Sequence, residues 1–186
     1  MDNLIPAKED KLRAGHQEIL GETLAKFEFF QAGWHPYSRF LDVDKVDLLL
    51  RRRKKDSLPE YKEVQVKFGK LYTCRAQWER DLFSSTSWRF FSEKNLTDIE
   101  ERGRLFLAYV LAADHGGFQG DMFIFRIADF VRMADRLGNG NYRLYISRSV
   151  ADPSRWYVRR KWNFSTLDES SVVDVSRYYR DFTCLE

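Results

Sequence analysis

The chain is short of most residues that announce a particular chemistry. Only two of its 186 residues are cysteine, Cys74 and Cys184, and only three are histidine, His16, His35 and His115. Two cysteines make neither a disulfide framework nor a zinc cluster, and they suit a reducing compartment. The histidines lack the spacing of a zinc finger or an HExxH helix. There is no P-loop and no GxGxxG, and Ser84-Ser85-Thr86-Ser87 is not a nucleophile elbow. Gly116-Gly117-Phe118-Gln119-Gly120 reads as a turn between elements. Long apolar runs are missing too. The longest, residues 105–113, is too short to span a bilayer, and residues 1–10 are too polar for a signal peptide. No membrane association is expected, and a cytoplasmic location is. Neither sign of charge dominates: 31 Lys and Arg stand against 28 Asp and Glu, a net charge of +3. That balance alone does not argue for nucleic-acid binding.

What the chain does have is core-forming and aromatic residues. Hydrophobic residues make up 44% and aromatics 16%, so a chain of this length can bury a substantial core as a single domain, residues 1–186. Its basic residues are clustered. Arg51, Arg52 and Arg53 run into Lys54 and Lys55, and Arg155, Arg159, Arg160 and Lys161 alternate with Trp156, Tyr157 and Trp162. Such clusters suit phosphate contact with base stacking, and equally suit a solvated strand edge or turn.

Periodicity predicts the elements. A helix is expected over residues 17–32, with Ile19, Leu20, Leu24, Phe27 and Phe30 on its apolar face. Strands are expected at 34–40, 46–53 and 61–68, with turn chemistry in Ser57-Leu58-Pro59-Glu60. Residues 71–96 read as an irregular, aromatic-rich cover containing Trp78, Arg80, Trp88 and Arg89. Thr97 with Glu100 resembles a helix start, continuing through Leu105, Leu107, Tyr109 and Leu111. A buried strand at 122–127, a short helix at 128–137, strands at 141–149 and 155–163 and a terminal helix at 174–182 complete the reading. One sheet flanked by helices fits this order.

The chemistry-bearing residues sit on the second and third expected strands. Side chains alternate along a strand, so Gln65 and Lys67 share one face, roughly 6–7 Å apart, with Glu63. Asp47 stands in the apolar run Val46-Asp47-Leu48-Leu49-Leu50, where a carboxylate is costly unless it is paired or metal-bound. Glu22 lies at the margin of the helix's apolar face. Mg²⁺ takes oxygen ligands and often only one or two protein carboxylates. Asp47 would be its main ligand, Gln65 a neutral one and Glu22 a third, direct or through water. Lys67 would orient the attacking water and offset developing charge. The same residues admit a plainer arrangement, with Asp47 paired to Lys67 or an arginine and Glu22 to Lys26.

In order and spacing, Gly21-Glu22, Gly33-Trp34, Val46-Asp47-Leu48-Leu49-Leu50 and Val64-Gln65-Val66-Lys67 resemble the PD-(D/E)XK nuclease superfamily. The branch most similar holds archaeal Holliday-junction resolvases and Mrr-type restriction enzymes. The resemblance covers residues 15–130. It implies an α/β fold, a restriction endonuclease-like mixed sheet flanked by helices. The core order would be helix-strand-strand-strand-helix-strand, with residues 140–186 as an α+β extension. It implies a Mg²⁺- or Mn²⁺-dependent endonuclease acting on duplex or branched DNA, with Glu22, Asp47, Gln65 and Lys67 as catalytic residues and the first three at the metal; many such enzymes are homodimers. Two positions depart from the pattern: Val46 stands where a proline precedes the Asp, and Gln65 replaces the usual acid, removing one negative charge. The alternative is a catalytically inactive module of the same fold that binds nucleic acid or a protein partner. DNA contacts are expected at Arg51, Arg52, Arg53, Lys70, Arg159 and Arg160.

Overall fold

The computed structural model describes residues 14–38, 46–53, 55, 57–92, 96, 105–113, 117–161 and 164–186. In chain order these form α1 (Ala14–Gln31), β1 (His35–Ser38), β2 (Leu48–Arg52), β3 (Glu60–Thr73), α2 (Gln77–Leu82), β4 (Phe83–Phe91), β5 (Leu105–Ala113), β6 (Gly117–Arg126), α3 (Ile127–Met133), β7 (Asp135–Arg136), β8 (Tyr142–Ser149), β9 (Trp156–Arg159) and β10 (Val172–Asp174). Two 3-10 turns follow, Ser176–Tyr178 and Phe182–Leu185. The chain is thus mixed α/β, dominated by a large, mostly antiparallel sheet with few helices. Among the described residues, no helix is long and apolar enough to cross a membrane.

β3 is the spine. Its 14 residues are long enough to belong to two half-sheets. In the first, β1, β2 and β3 form an antiparallel meander, β5 runs parallel to β3 from Glu63 to Leu71, and β6 returns antiparallel to β5. In the second, the end of β3 pairs β4 through Tyr72 and Thr73, and β4 continues through β8 and β9 to β10.

Two apolar layers follow from strand alternation. Val64 and Val66 of β3 join Leu48, Leu50, Ala108 and Ile124 beneath Ala25 and Phe29 of α1. The opposite face supplies Leu107, Tyr109, Leu111, Phe123 and Phe125, which meet Phe91, Leu144, Ile146, Trp156 and Val158 of the second half-sheet. The C-terminal residues Phe182 and Leu185 pack into the α1 layer, so residues 140–186 complete the core rather than append to it.

Three expectations are corrected. Leu105–Ala113 is a strand, not the continuation of a helix begun at Thr97, and residues 97–104 lie outside the described residues. Seven successive residues of this strand, Phe106 to Ala112, are buried. A strand covered on both faces reads as a continuous apolar run, which periodicity cannot tell from a helix. The expected terminal helix at 174–182 is instead the end of β10 with the two 3-10 turns. The third correction concerns α1, whose packed face is Gly21, Ala25, Glu28 and Phe29, while Ile19, Phe27 and Phe30 are exposed. Small residues let α1 lie close to the sheet: a Cβ on Gly21 would come within 3.0 Å of the Phe68 Cβ. Glu28 is buried there because Arg180 reaches it at 2.6 Å, a close ion pair rather than an aligned hydrogen bond. Arg180 also donates to the Gly120 carbonyl at 2.9 Å.

Candidate catalytic site at a gap in the sheet

Successive backbone groups on a strand point to opposite edges. On β3 the carbonyl of Val64 accepts from Asp47 N, so even-numbered residues present their N–H and C=O towards β2. Cys74 donates to Ser84 O on β4, so β4 lies along that same edge. Along β3, pairing with β2 runs from Glu60 to Val64 and pairing with β4 occupies Tyr72 and Thr73. Between them no described strand pairs this edge of β3, and its polar groups must be met otherwise.

Side chains meet them. Val66 N donates to Asp47 Oδ2 at 2.6 Å, and Arg89, arriving from β4, donates to Phe68 O at 2.6 Å. Asp47 is therefore held by the place where β2 stops pairing. Lys67 Nζ stands 3.8 Å from the same Asp47 oxygen. Glu22 enters from α1, positioned by the close approach at Gly21. Partial burial raises its carboxyl above the ordinary value of 4.5, with the Asp47 charge the next cause and Lys26 and Lys67 opposing. The plainer pairings are present as well, since Lys26 Nζ lies 4.0 Å from Glu22 Oε2.

Gln65 completes the set differently. Its side chain is 1% exposed, on the face of β3 turned away from α1. Its Oε1 is buried without a hydrogen-bond partner among the described residues. An orphaned buried carbonyl oxygen costs roughly 1–3 kcal/mol, so it marks either strain or a missing ligand. A cleft of about 270 Å³ opens beside Lys67 and is lined by Gln17, Glu18, Val66, Phe68 and Arg89. Arg89 is the residue that spacing could not assign: it reaches the site only because β4 folds back onto the edge of β3.

The donor set fits a weakly held divalent cation. Two carboxylates sense each other's charge and an oxygen lacks a donor, yet a lysine already shares Asp47. Among the described residues no three His, Cys, Asp or Glu side chains gather as a metal cluster, as expected where Gln stands for the second acid.

The expected DNA-contact residues fare unequally. Arg52 is engaged with Glu60 at 3.3 Å and Glu186 at 2.7 Å, and lies 4.3 Å from the Trp34 ring centroid. Arg51 sits beside the Tyr37 and Tyr61 hydroxyls. Arg53 and Arg160 are exposed and Lys70 is half-buried. Arg159 is buried, donating to Glu79 at 2.7 Å and to Ser147 Oγ at 2.9 Å. It is a core cation, not a surface one, and Trp156 of the same strand is buried too. Comparison with protein families, curated proteins and solved structures finds no match for this chain.

Proposed function

We propose that this chain is a metal-dependent endonuclease that hydrolyses DNA phosphodiester bonds at the β3 gap, on a restriction endonuclease-like core. The observation that carries the reading is the convergence at one unpaired strand edge. Asp47 and Lys67 meet there at 3.8 Å, beside Glu22, with an orphaned Gln65 oxygen on the same strand. The helix, the three-strand meander and the parallel strand β5 support the fold assignment; Leu105–Ala113, where the pattern expects its helix to continue, is strand.

In this reading Asp47 and Glu22 would supply negative charge to Mg²⁺ or Mn²⁺, with Gln65 offering a neutral oxygen from the face of β3 away from α1. The bound ion supplies a water of lowered pKa and polarises the phosphate. Asp47 is oriented by the Val66 amide and would be the main carboxylate at the ion. Lys67 offsets charge developing at the phosphorus and orients the water. Arg89 lines the cleft where a phosphate would lie and is fixed by Phe68 O. Duplex or branched DNA is the substrate, and a homodimer would place two such sites for cutting both strands.

A second reading, a non-catalytic module of this fold, is favoured by one observation: Asp47 already accepts from Val66 N and sits beside Lys67, with Gln65 in place of the strand acid. The experiment separating them is cleavage of supercoiled plasmid and a four-way junction in Mg²⁺, Mn²⁺ or EDTA, by wild type, Asp47→Asn and Lys67→Ala. Cation-dependent cutting lost in both variants supports the enzyme. Folded wild type that cuts neither substrate supports the module.

A further inference from the structure

Strand β4 divides its side chains between two surfaces. Arg89 and Ser87 face inward, Ser87 Oγ lying 2.8 Å from the buried Tyr109 hydroxyl. Trp88 and Phe90 face outward, 49% and 53% exposed, with ring centroids 5.6 Å apart at 75°. Cross-strand register places Trp88 opposite Tyr145, Phe90 opposite Arg143 and Thr86 opposite Tyr72. Tyr72, 38% exposed, thus extends the same aromatic face. Two large rings standing side by side on an open sheet leave about half of their surface exposed. Exposed rings on a flat sheet are the geometry on which unpaired bases stack.

The margin of this face is rich in cations. A shallow depression beside Tyr145 is lined by Arg143, Arg159, Arg160 and Lys161. Arg143 pairs with Asp135 at 2.6 Å and Arg159 with Glu79 at 2.7 Å. Among the described residues Arg160 and Lys161 make no ion pair. Arg160 reaches only the Glu169 carbonyl at 3.4 Å and Lys161 the Ser170 hydroxyl at 2.8 Å. Arg143 and Arg159 are matched by carboxylates, whereas Arg160 and Lys161, beside the Asp168-Glu169 turn, are the cations a polyanion would meet. Arg159 also stands 4.4 Å from the Tyr145 ring centroid, bracing that ring within the platform.

We propose that the outer face of β4 and β8 binds single-stranded DNA, its bases stacked on Trp88 and Phe90 and its phosphates against Arg160 and Lys161. The choice of DNA rests on the nuclease reading of the β3 gap; the stacking face does not. On the two sides of β4, one strand would then carry a phosphate contact for cleavage and a grip on an unpaired strand.

The test is fluorescence anisotropy of labelled oligo-dT, with unlabelled duplex and oligo-U as competitors, at several salt concentrations. Trp88→Ala and Phe90→Ala are each expected to weaken binding roughly 5- to 100-fold. Trp88→Phe, which keeps a ring, is expected to restore most of it. Arg160→Ala with Lys161→Ala should flatten the dependence of log affinity on log salt by about 1.4. Asp47→Asn should leave dT binding unchanged, so loss of cleavage and loss of strand binding are read separately. Binding indifferent to Trp88 and Phe90, displacement by duplex as readily as by oligo-dT, or no binding by folded protein would each overturn the proposal. Displacement by oligo-U better than by oligo-dT would overturn the assignment to DNA.

Discussion

Asp47 with Lys67 and Glu79 with Arg159 are the same chemical pair in two different surroundings. Glu79 and Arg159 meet at 2.7 Å, and Arg159 also finds Ser147 Oγ and the rings of Trp78, Phe83 and Tyr145. Its side chain is 3% exposed, and that burial is tolerated because its donors and its flat faces are used. Asp47 and Lys67 are 3.8 Å apart, Glu22 adds a repelling carboxylate, and Gln65 keeps an oxygen with no donor. The Glu79–Arg159 pair is close and buried, while the Asp47–Lys67 pair is looser and has a second carboxylate, Glu22, within range of its charge. Incompleteness next to a cleft, rather than the presence of charge, is what separates a candidate site from a structural ion pair.

The comparison can be broken most sharply at Asp47. Asparagine keeps an oxygen for the Val66 amide, so Asp47→Asn should fold with little loss of stability. Cleavage should nevertheless fall at least about 1000-fold, because the charge that holds the ion is gone. A plasmid assay beside a thermal melt reads both. Arg159→Ala is the mirror experiment. It leaves Glu79 largely buried without its cation and should cost roughly 3 kcal/mol of stability, while cleavage per folded molecule stays near wild type. Arg180→Ala, which strands buried Glu28 beneath α1, should cost about 2 kcal/mol, less because Arg180 itself is partly exposed; urea melts would measure it. The smallest effect belongs to Glu22→Gln. Its carboxyl is raised in the folded chain, so it binds its proton more tightly there than when unfolded. Stability is then lost as pH rises from about the ordinary 4.5 through the raised value. Removing the charge should raise the melting temperature slightly at pH 7, within about 0.5 kcal/mol. The acid limb of cleavage in wild type should change in Glu22→Gln, because the Glu22 carboxyl is raised from its ordinary value.

Parts of this contrast were legible in the sequence and parts were not. The acid before β2 and the Gln-x-Lys of β3 follow from alternation, and the turn at Ser57-Leu58-Pro59-Glu60 brings the strands together. The packing face of α1 was hidden because it is built from Gly21, Ala25 and a buried glutamate, while Ile19, Phe27 and Phe30 face outward. β5 was read as helix because both of its faces are covered. Arg89 and the open edge of β3 depend on where β2 stops and β4 begins, which is tertiary information. Arg159 carries the same basic–aromatic pattern as a nucleic-acid contact, but it is buried against Glu79 and the rings around it, Trp78, Phe83 and Tyr145, come from elsewhere in the chain. Conversely, Trp88 and Phe90 sit in a stretch with no regular apolar period, and only the register with β8 puts them on one exposed face.

The central claim is that the β3 gap is completed by a divalent cation. It is tested most directly by calorimetric titration of Mn²⁺ into wild type, Asp47→Asn and Gln65→Glu, with circular dichroism to establish folding. Weak binding by wild type, none by Asp47→Asn and affinity increased roughly 10-fold in Gln65→Glu is the predicted result. Identical heats in all three folded proteins would mean that the gap holds no cation, and that Asp47 and Lys67 are, like Glu79 and Arg159, a structural pair.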